Sequence, residues 1–217
     1  MFAGHIGAAL AIGRIERRVN VGVLALAALG LDVLLWVFIL LGWESAVIPP
    51  DFASRHQPQF DFPWSHGLLA ALGWSLLAGA AVFARISRPW ARAAACVAAA
   101  VFSHWLLDAL VHEPEMPLAG PGSHKVGLAL WDAMPLALAV EAGLVAVGLG
   151  LFLAGAGLSR ARKIALVVLC AMLLAFTIAG MTIAPPAPSV AAMAGSSLVT
   201  IVLVAVLLGW LGRSDAR

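Results

Sequence analysis

Long apolar runs, broken by short polar stretches, dominate the chain. Six of them lie at about 20–43, 64–86, 92–112, 131–154, 163–183 and 190–212. Each comes near the roughly 20 residues that a helix needs to cross a bilayer, so each predicts a membrane span. A further run, 1–13 (MFAGHIGAALAIG), is too short to cross and is closed by Arg14, Arg17 and Arg18. It predicts a re-entrant helix, which must be packed in protein because lipid cannot satisfy loose backbone ends. Gly4, Gly7, Ala8 and Ala9 supply the small side chains that such packing needs. A secretory signal carries its positive charges ahead of the apolar stretch; here they follow it, so the segment does not read as a signal. Pro49, Pro50, Pro58 and Pro63 keep 44–63 non-helical, Pro114, Pro117, Pro121 and Gly122 do the same for 113–130, and Pro185, Pro186 and Pro188 make the last turn. The expected fold is all-α: one polytopic membrane domain over 1–217, with six spans and a short re-entrant N-terminal helix.

Composition makes the bilayer reading firm. Hydrophobic residues are 63% and charged residues 11% of the chain, with mean hydropathy +1.01. A soluble domain has about 45–50% and about 25%. Charge adds a direction. Arg14, Arg17, Arg18, Arg85, Arg88, Arg92, Arg160, Arg162, Lys163, Arg213 and Arg217 fall on one side of the predicted spans. Arg55 and Lys125 fall on the other, with Glu44, Asp51, Asp61, Glu113 and Glu115. This bias puts the C-terminus and the Arg14–Arg18 turn in the cytoplasm of a cell with the protein in its inner membrane, and loops 44–63 and 113–130 outside. No basic patch is interleaved with aromatics, so nucleic acid is not an expected partner. Cys96 and Cys170 sit in apolar runs and read as packing residues, not a disulfide framework. Trp43, Trp64 and Trp131 belong at the outer interface and Trp90 and Trp210 at the inner one. Trp36, Trp74 and Trp105 lie deeper, where packing between helices is their first reading.

The chemistry lies in polar residues that interrupt these runs. In the run ending Phe102-Ser103-His104-Trp105-Leu106-Leu107-Asp108-Ala109-Leu110-Val111-His112, the residues His104, Asp108 and His112 stand four apart and share one helix face. His5, Asp32, His66 and Glu141 are the other ionisable groups expected within the apolar layer, with Asp132 at its edge. A charge at mid-span costs at least about 2.5–3.5 kcal/mol, so such residues are functional candidates. At about 1.5 Å per residue, Asp32, His104 and Glu141 fall roughly 12–15 Å below the outer surface, where the others can meet them. Imidazole and carboxylate together suit zinc foremost, with manganese or iron as alternatives, and one or two ions. Each residue alone has an ordinary explanation. Asp108 could pair with His104, Asp32 could bond a serine or a carbonyl, and His66 could be interfacial. Asp132 fits the N-cap of the fourth span, with Pro135 in its first turn. His56, His112, Glu113, His124 and Lys125 fit a solvated loop. Their occurrence together favours a metal site of His5, Asp32, His66, His104 and Asp108.

At these residues the chain resembles the YdjM-like family of inner-membrane proteins, named as metal-dependent hydrolases. The matching pieces are His5 in GHIGAALAIG, Asp32 in LGLDVLLW, SHGLL at 65–69 and SHWLLD at 103–108. They cover about 1–155, leaving 156–217 as two additional spans. The order of ligands is also similar to that of the zinc-dependent phospholipase C and single-strand nuclease superfamily. That resemblance implies one ion held by Asp32, His66, His104 and Asp108, and a second held by His5 and a bridging Asp108. The superfamily adds a His and a His-x-x-x-Glu for a third ion and uses its N-terminal amine as a ligand. This chain has His112 and His124, but Leu128 where the Glu would stand, and Met1 at the start.

The expected activity is therefore metal-dependent hydrolysis of a phosphoester, either lipid, lipid-linked or small, at a site open to the outer face. Glu141, His112 and His124 are the candidate acid and base groups, and Lys125, Trp36 and Trp105 the candidate substrate contacts. Two other classes compete. An ion or proton transporter would extend a polar stripe into the inner half of the spans, which is apolar here. A non-catalytic membrane interaction protein would hold no metal.

Overall fold

The structure, a computed structural model, describes residues 1–84 and 91–213. Arg85, Arg88, Trp90 and Arg217, placed above by sequence, lie outside the described residues. The chain begins with α1 (Phe2–Ile15), α2 (Val21–Ala28) and α3 (Gly30–Leu40). A hairpin follows, β1 (Ser45–Val47) with β2 (Gln59–Asp61), whose loop contains a single turn α4 (Phe52–Arg55). Then come α5 (Leu68–Ala84) and α6 (Ala91–Val111). A second small hairpin pairs β3 (Met116–Pro117) with β4 (Lys125–Val126). A 3-10 turn (Leu130–Ala133) leads into α7 (Met134–Gly155), and α8 (Arg160–Thr182) and α9 (Val190–Leu211) complete the bundle.

The all-α expectation holds, and the described residues support four or five of the six expected spans. By length and composition, four described helical stretches can cross a membrane: α6, α7 with its 3-10 turn, α8 and α9. The pair α2 and α3 would make a fifth, though it is bent by 51°. Hydropathy could not reveal this break, because 20–43 is apolar on both sides of it. Gly30, at the start of α3, is a residue type found at kinks. The described part of α5 is 17 residues long and begins at Leu68, later than expected. Two smaller corrections follow. Loop 44–63 is not wholly non-helical, since it contains α4. Asp132 lies inside the 3-10 turn, and Ala133, not Asp132, is the N-cap of α7, with Pro135 in the first turn as expected.

Helix α1 is enclosed by the bundle, with Gly4, His5, Ile6, Gly7, Ala9 and Leu10 all buried. It packs chiefly on α7, and also on α2, α6 and α8. Two glycines make the main crossing possible. A Cβ on Gly7 would overlap the Leu144 carbonyl, and one on Gly148 would overlap the backbone of Gly7. Backbones this close are what small residues permit between apolar helices. The Gly4 N–H, in the first turn of α1 where no intrahelical acceptor exists, donates to Glu141 Oε2 of α7 at 3.0 Å. The carboxyl that sequence placed deep in the fourth run thus anchors the start of α1.

Charge marks the two ends of the bundle. At one end Arg17 donates to the Phe152 carbonyl at 3.0 Å, Arg162 bonds the Arg213 carbonyl, and Arg18 pairs with Glu16. At the other lie the hairpins with Glu44, Asp61, Glu113, Glu115 and Lys125. The bonds from Arg18 hold the Glu16 carboxyl down, at about 2 against an ordinary 4.5.

Two outcomes are expected. Gly148→Leu should destabilise the protein by about 1–3 kcal/mol or more through overpacking, read by thermal unfolding in detergent. Because the folded Glu16 carboxyl titrates low, its pair with Arg18 stabilises the fold fully above about 4.5 and loses that contribution as pH falls towards about 2. Arg18→Gln should return the Glu16 midpoint towards 4.5, which carboxyl NMR would follow.

Candidate metal centre

Helix α6 provides the base of the site. His104 and Asp108 share its buried face, one turn apart, and His112 follows directly after the helix, with its backbone N–H still bonded to the Asp108 carbonyl at 2.9 Å. All three are buried. Opposite them is the break between α2 and α3, which contributes in two ways. The carbonyl of Ala28, the last residue of α2, accepts from His104 Nδ1 at 2.7 Å. Asp32 sits in the first turn of α3, the end of a helix that favours negative charge. His66 arrives from the segment just before α5. Its Nδ1 bonds Ser65 Oγ at 2.8 Å, while the Ser65 hydroxyl donates to Glu44 Oε2 at 2.7 Å. Glu44 Oε1 also accepts the N–H groups of Trp64 and Ser65, at 2.7 and 2.8 Å. Burial pushes the Glu44 carboxyl up from its ordinary value, and these bonds oppose that push.

These contacts settle which imidazole nitrogens are free. A carbonyl can only accept, so His104 Nδ1 carries its proton. Ser65 uses its hydroxyl proton on Glu44, so its oxygen accepts from His66 Nδ1–H. In neutral rings both Nε2 atoms then present lone pairs. They face each other at 3.1 Å. Asp108 Oδ2 is 3.1 Å from His104 Nε2 and 3.5 Å from His66 Nε2. Asp32 Oδ1 lies 3.6 and 3.8 Å from the same two atoms. One ligand atom from each of Asp32, His66, His104 and Asp108 falls within 4.8 Å of the others. Four acceptors converge with no donor among them. A proton could serve only a pair of them, whereas a divalent cation serves all four, so this donor set fits a metal ion.

Asp108 faces two ways. Oδ2 joins the quartet, and Oδ1 accepts from the Met1 nitrogen at 2.9 Å and lies 3.1 Å from His5 Nε2. The His5 ring stacks on His104, with centroids 3.9 Å apart, and its Nδ1 is buried without a partner. His5 is therefore beside the quartet, not one of the four.

The structure sorts the remaining candidates. His112 is part of the site: Nε2 lies 3.7 Å from Asp108 Oδ2, Nδ1 is 2.5 Å from Glu115 Oε1, and the ring lies against Trp131. Glu141 lies close by through α1, and Trp36 lines the cavity over Asp32. Trp105 is buried, and its Nε1–H donates to the His66 carbonyl at 2.9 Å, so it braces His66. His124 stands exposed beside β4, and Lys125 faces Asp61 at 3.5 Å; neither is brought to the quartet. His56 is half-buried and its Nδ1 meets the Ala184 carbonyl at 3.1 Å, which ties α4 to the link after α8. Sequence reasoning missed Glu44, Ser65 and Glu115 as supports of the imidazoles. Ser65 was visible only as half of the Ser-His pair; the two acids stood among ordinary loop charges.

No protein-family model, no curated protein and no solved structure matches this chain. The outer supports can be tested directly. Ser65→Ala should weaken zinc affinity about 10–100-fold, as loss of a ligand's hydrogen-bond partner does. His124→Ala should leave it unchanged, both being measured by competition with a chromophoric chelator.

Proposed function

We propose that this chain is a membrane-embedded, metal-dependent phosphoester hydrolase, akin to the YdjM-like proteins that its motifs resemble. The observation that carries the reading is the meeting of four acceptor atoms in an apolar bundle without a donor. Zinc is the favoured ion, which Asp32, His66, His104 and Asp108 would hold; the resemblance assigns a second to His5 and the other oxygen of Asp108. A divalent ion bound there would supply Lewis acidity, which makes a water more acidic and draws charge from a phosphoryl oxygen.

The chain's own groups do the rest. A cavity of about 130 Å³ opens over the quartet, lined by Met1, Asp32, His66, Asp108, His112 and Trp131 among others. It is small and polar at its base, which suits a phosphoryl group. His112 is the acid–base candidate: Glu115 fixes its Nδ1–H and leaves Nε2 directed at the cavity. It takes a proton from the attacking water and returns it to the leaving oxygen. Burial of Glu141 and its bond to Gly4 give that carboxyl a positioning role, holding α1 and thus His5 in place.

The positive-inside bias supports a site in the outer half of the inner membrane, with the hairpins outside and the C-terminus in the cytoplasm. Six crossings require the bent α2–α3 pair and α5 each to serve as one, with α1 entering from the cytoplasmic end. A lipid or lipid-linked phosphate is the substrate that a site at this depth meets. A through-going transport path has no support, since the core towards the basic end is Leu10, Leu24, Ala25, Ala93 and Val97.

The purified protein should hold about one or two divalent ions and hydrolyse a phosphoester in a chelator-sensitive way. His112→Ala should lower kcat by about 10²–10⁴-fold with metal content unchanged. Intact metal content and turnover in both His104→Ala and Asp108→Asn would refute the reading.

A further inference from the structure

A second cavity, of about 330 Å³, adjoins the one over the quartet. The two share Met1, Asp32, Trp36, Pro58 and Trp131 as walls. The larger one extends between α8 and α9, where Phe176, Gly180 and Met181 face Met193. The packing explains the opening. Helix α8 pairs with α7, while α9 packs mainly on α2 and α3, so the two are splayed apart. Phe176 is 60% exposed, which leaves this seam in reach of the surrounding lipid. Its volume lies within the roughly 300–1,000 Å³ usual for small-ligand sites.

One polar atom in this chamber stands without a partner. Thr177 is buried, and its Oγ1 makes no hydrogen bond. Helical threonines readily bond the carbonyl one turn back, as Thr182 of the same helix does to Ile178 at 2.7 Å. Thr177 does not, although burying an unpaired hydroxyl is unfavourable. Its position in the wall, between Glu141 and the apolar residues, suits an oxygen of a bound molecule.

We propose that this side chamber seats the apolar chain of the substrate, which makes the substrate an amphiphilic phosphoester with a long alkyl chain. The inference rests on the hydrolase reading for the phosphate end and on the chamber for the chain. The phosphate occupies the small cavity, the chain leaves through the α8–α9 seam, and Thr177 receives an oxygen where the two parts join. Gly180 gives the chamber its room: a Cβ there would meet nothing within 4 Å.

The test is calorimetric binding of n-dodecyl phosphate and ethyl phosphate to the zinc-loaded full chain in a maltoside detergent. Wild type should bind the dodecyl compound at least about tenfold more tightly, since each buried methylene adds affinity. Gly180→Trp, which fills the chamber, should bring the two affinities together. Met193→Trp serves as a second filling variant, with unfolding temperature checking that each variant folds. Equal affinities in wild type, or a preference that survives both variants, would overturn the proposal. Zinc content of the same sample separates the two readings. Zinc with no chain-length preference sinks the chamber alone, whereas a preference without zinc upholds the chamber and sinks the hydrolase.

Discussion

Everything at this site depends on Asp108, a carboxylate whose two oxygens serve different neighbours inside an apolar bundle. One oxygen meets the imidazoles of His66 and His104, and the other meets His5 and the Met1 nitrogen. An uncompensated carboxylate at that depth would be expensive, and a paired one is tolerated. The surrounding helices are arranged so that each carries one group to it. Helix α1 brings His5, the α2–α3 break brings Asp32 and a free carbonyl, and α6 brings His104. The proton positions then leave the quartet short of positive charge, which is the physical demand that a cation meets.

The imidazoles are orientated by groups that carry no chemistry of their own. Ala28 fixes His104, Ser65 and Glu44 fix His66, and Glu115 fixes His112. Each support comes from a different interruption: a helix break, the start of a helix, and a hairpin. Regular helix has few spare carbonyls or N–H groups to lend, so the groups that orientate these imidazoles stand where helices end.

This explains what could be read along the chain and what could not. His104 and Asp108 were legible because a four-residue spacing puts two side chains on one helix face. Asp32 and His66 were legible as polar residues in apolar runs. The break at Leu29 was not, because hydropathy averages over a bend whose two sides are equally apolar. Glu44 and Glu115 were not, because an acid in an outer loop looks alike whether it faces water or a histidine. His124 and Lys125 were ambiguous for the same reason. They are near the site in sequence, but the β3–β4 hairpin turns them outward. Asp132 matched a capping pattern, yet the chain tightened into a 3-10 turn and passed the cap to Ala133.

The close crossing of α1 and α7 bears on biosynthesis. Gly4 and Glu141 are 137 residues apart, so α1 gains this partner only after α7 has been made. Contacts of such long range are slow to form. Until α7 arrives, α1 lacks the neighbour against which most of it packs. The seating of α1 thus waits on α7, and the meeting of His5 with Asp108 becomes a report that these two helices have closed on each other.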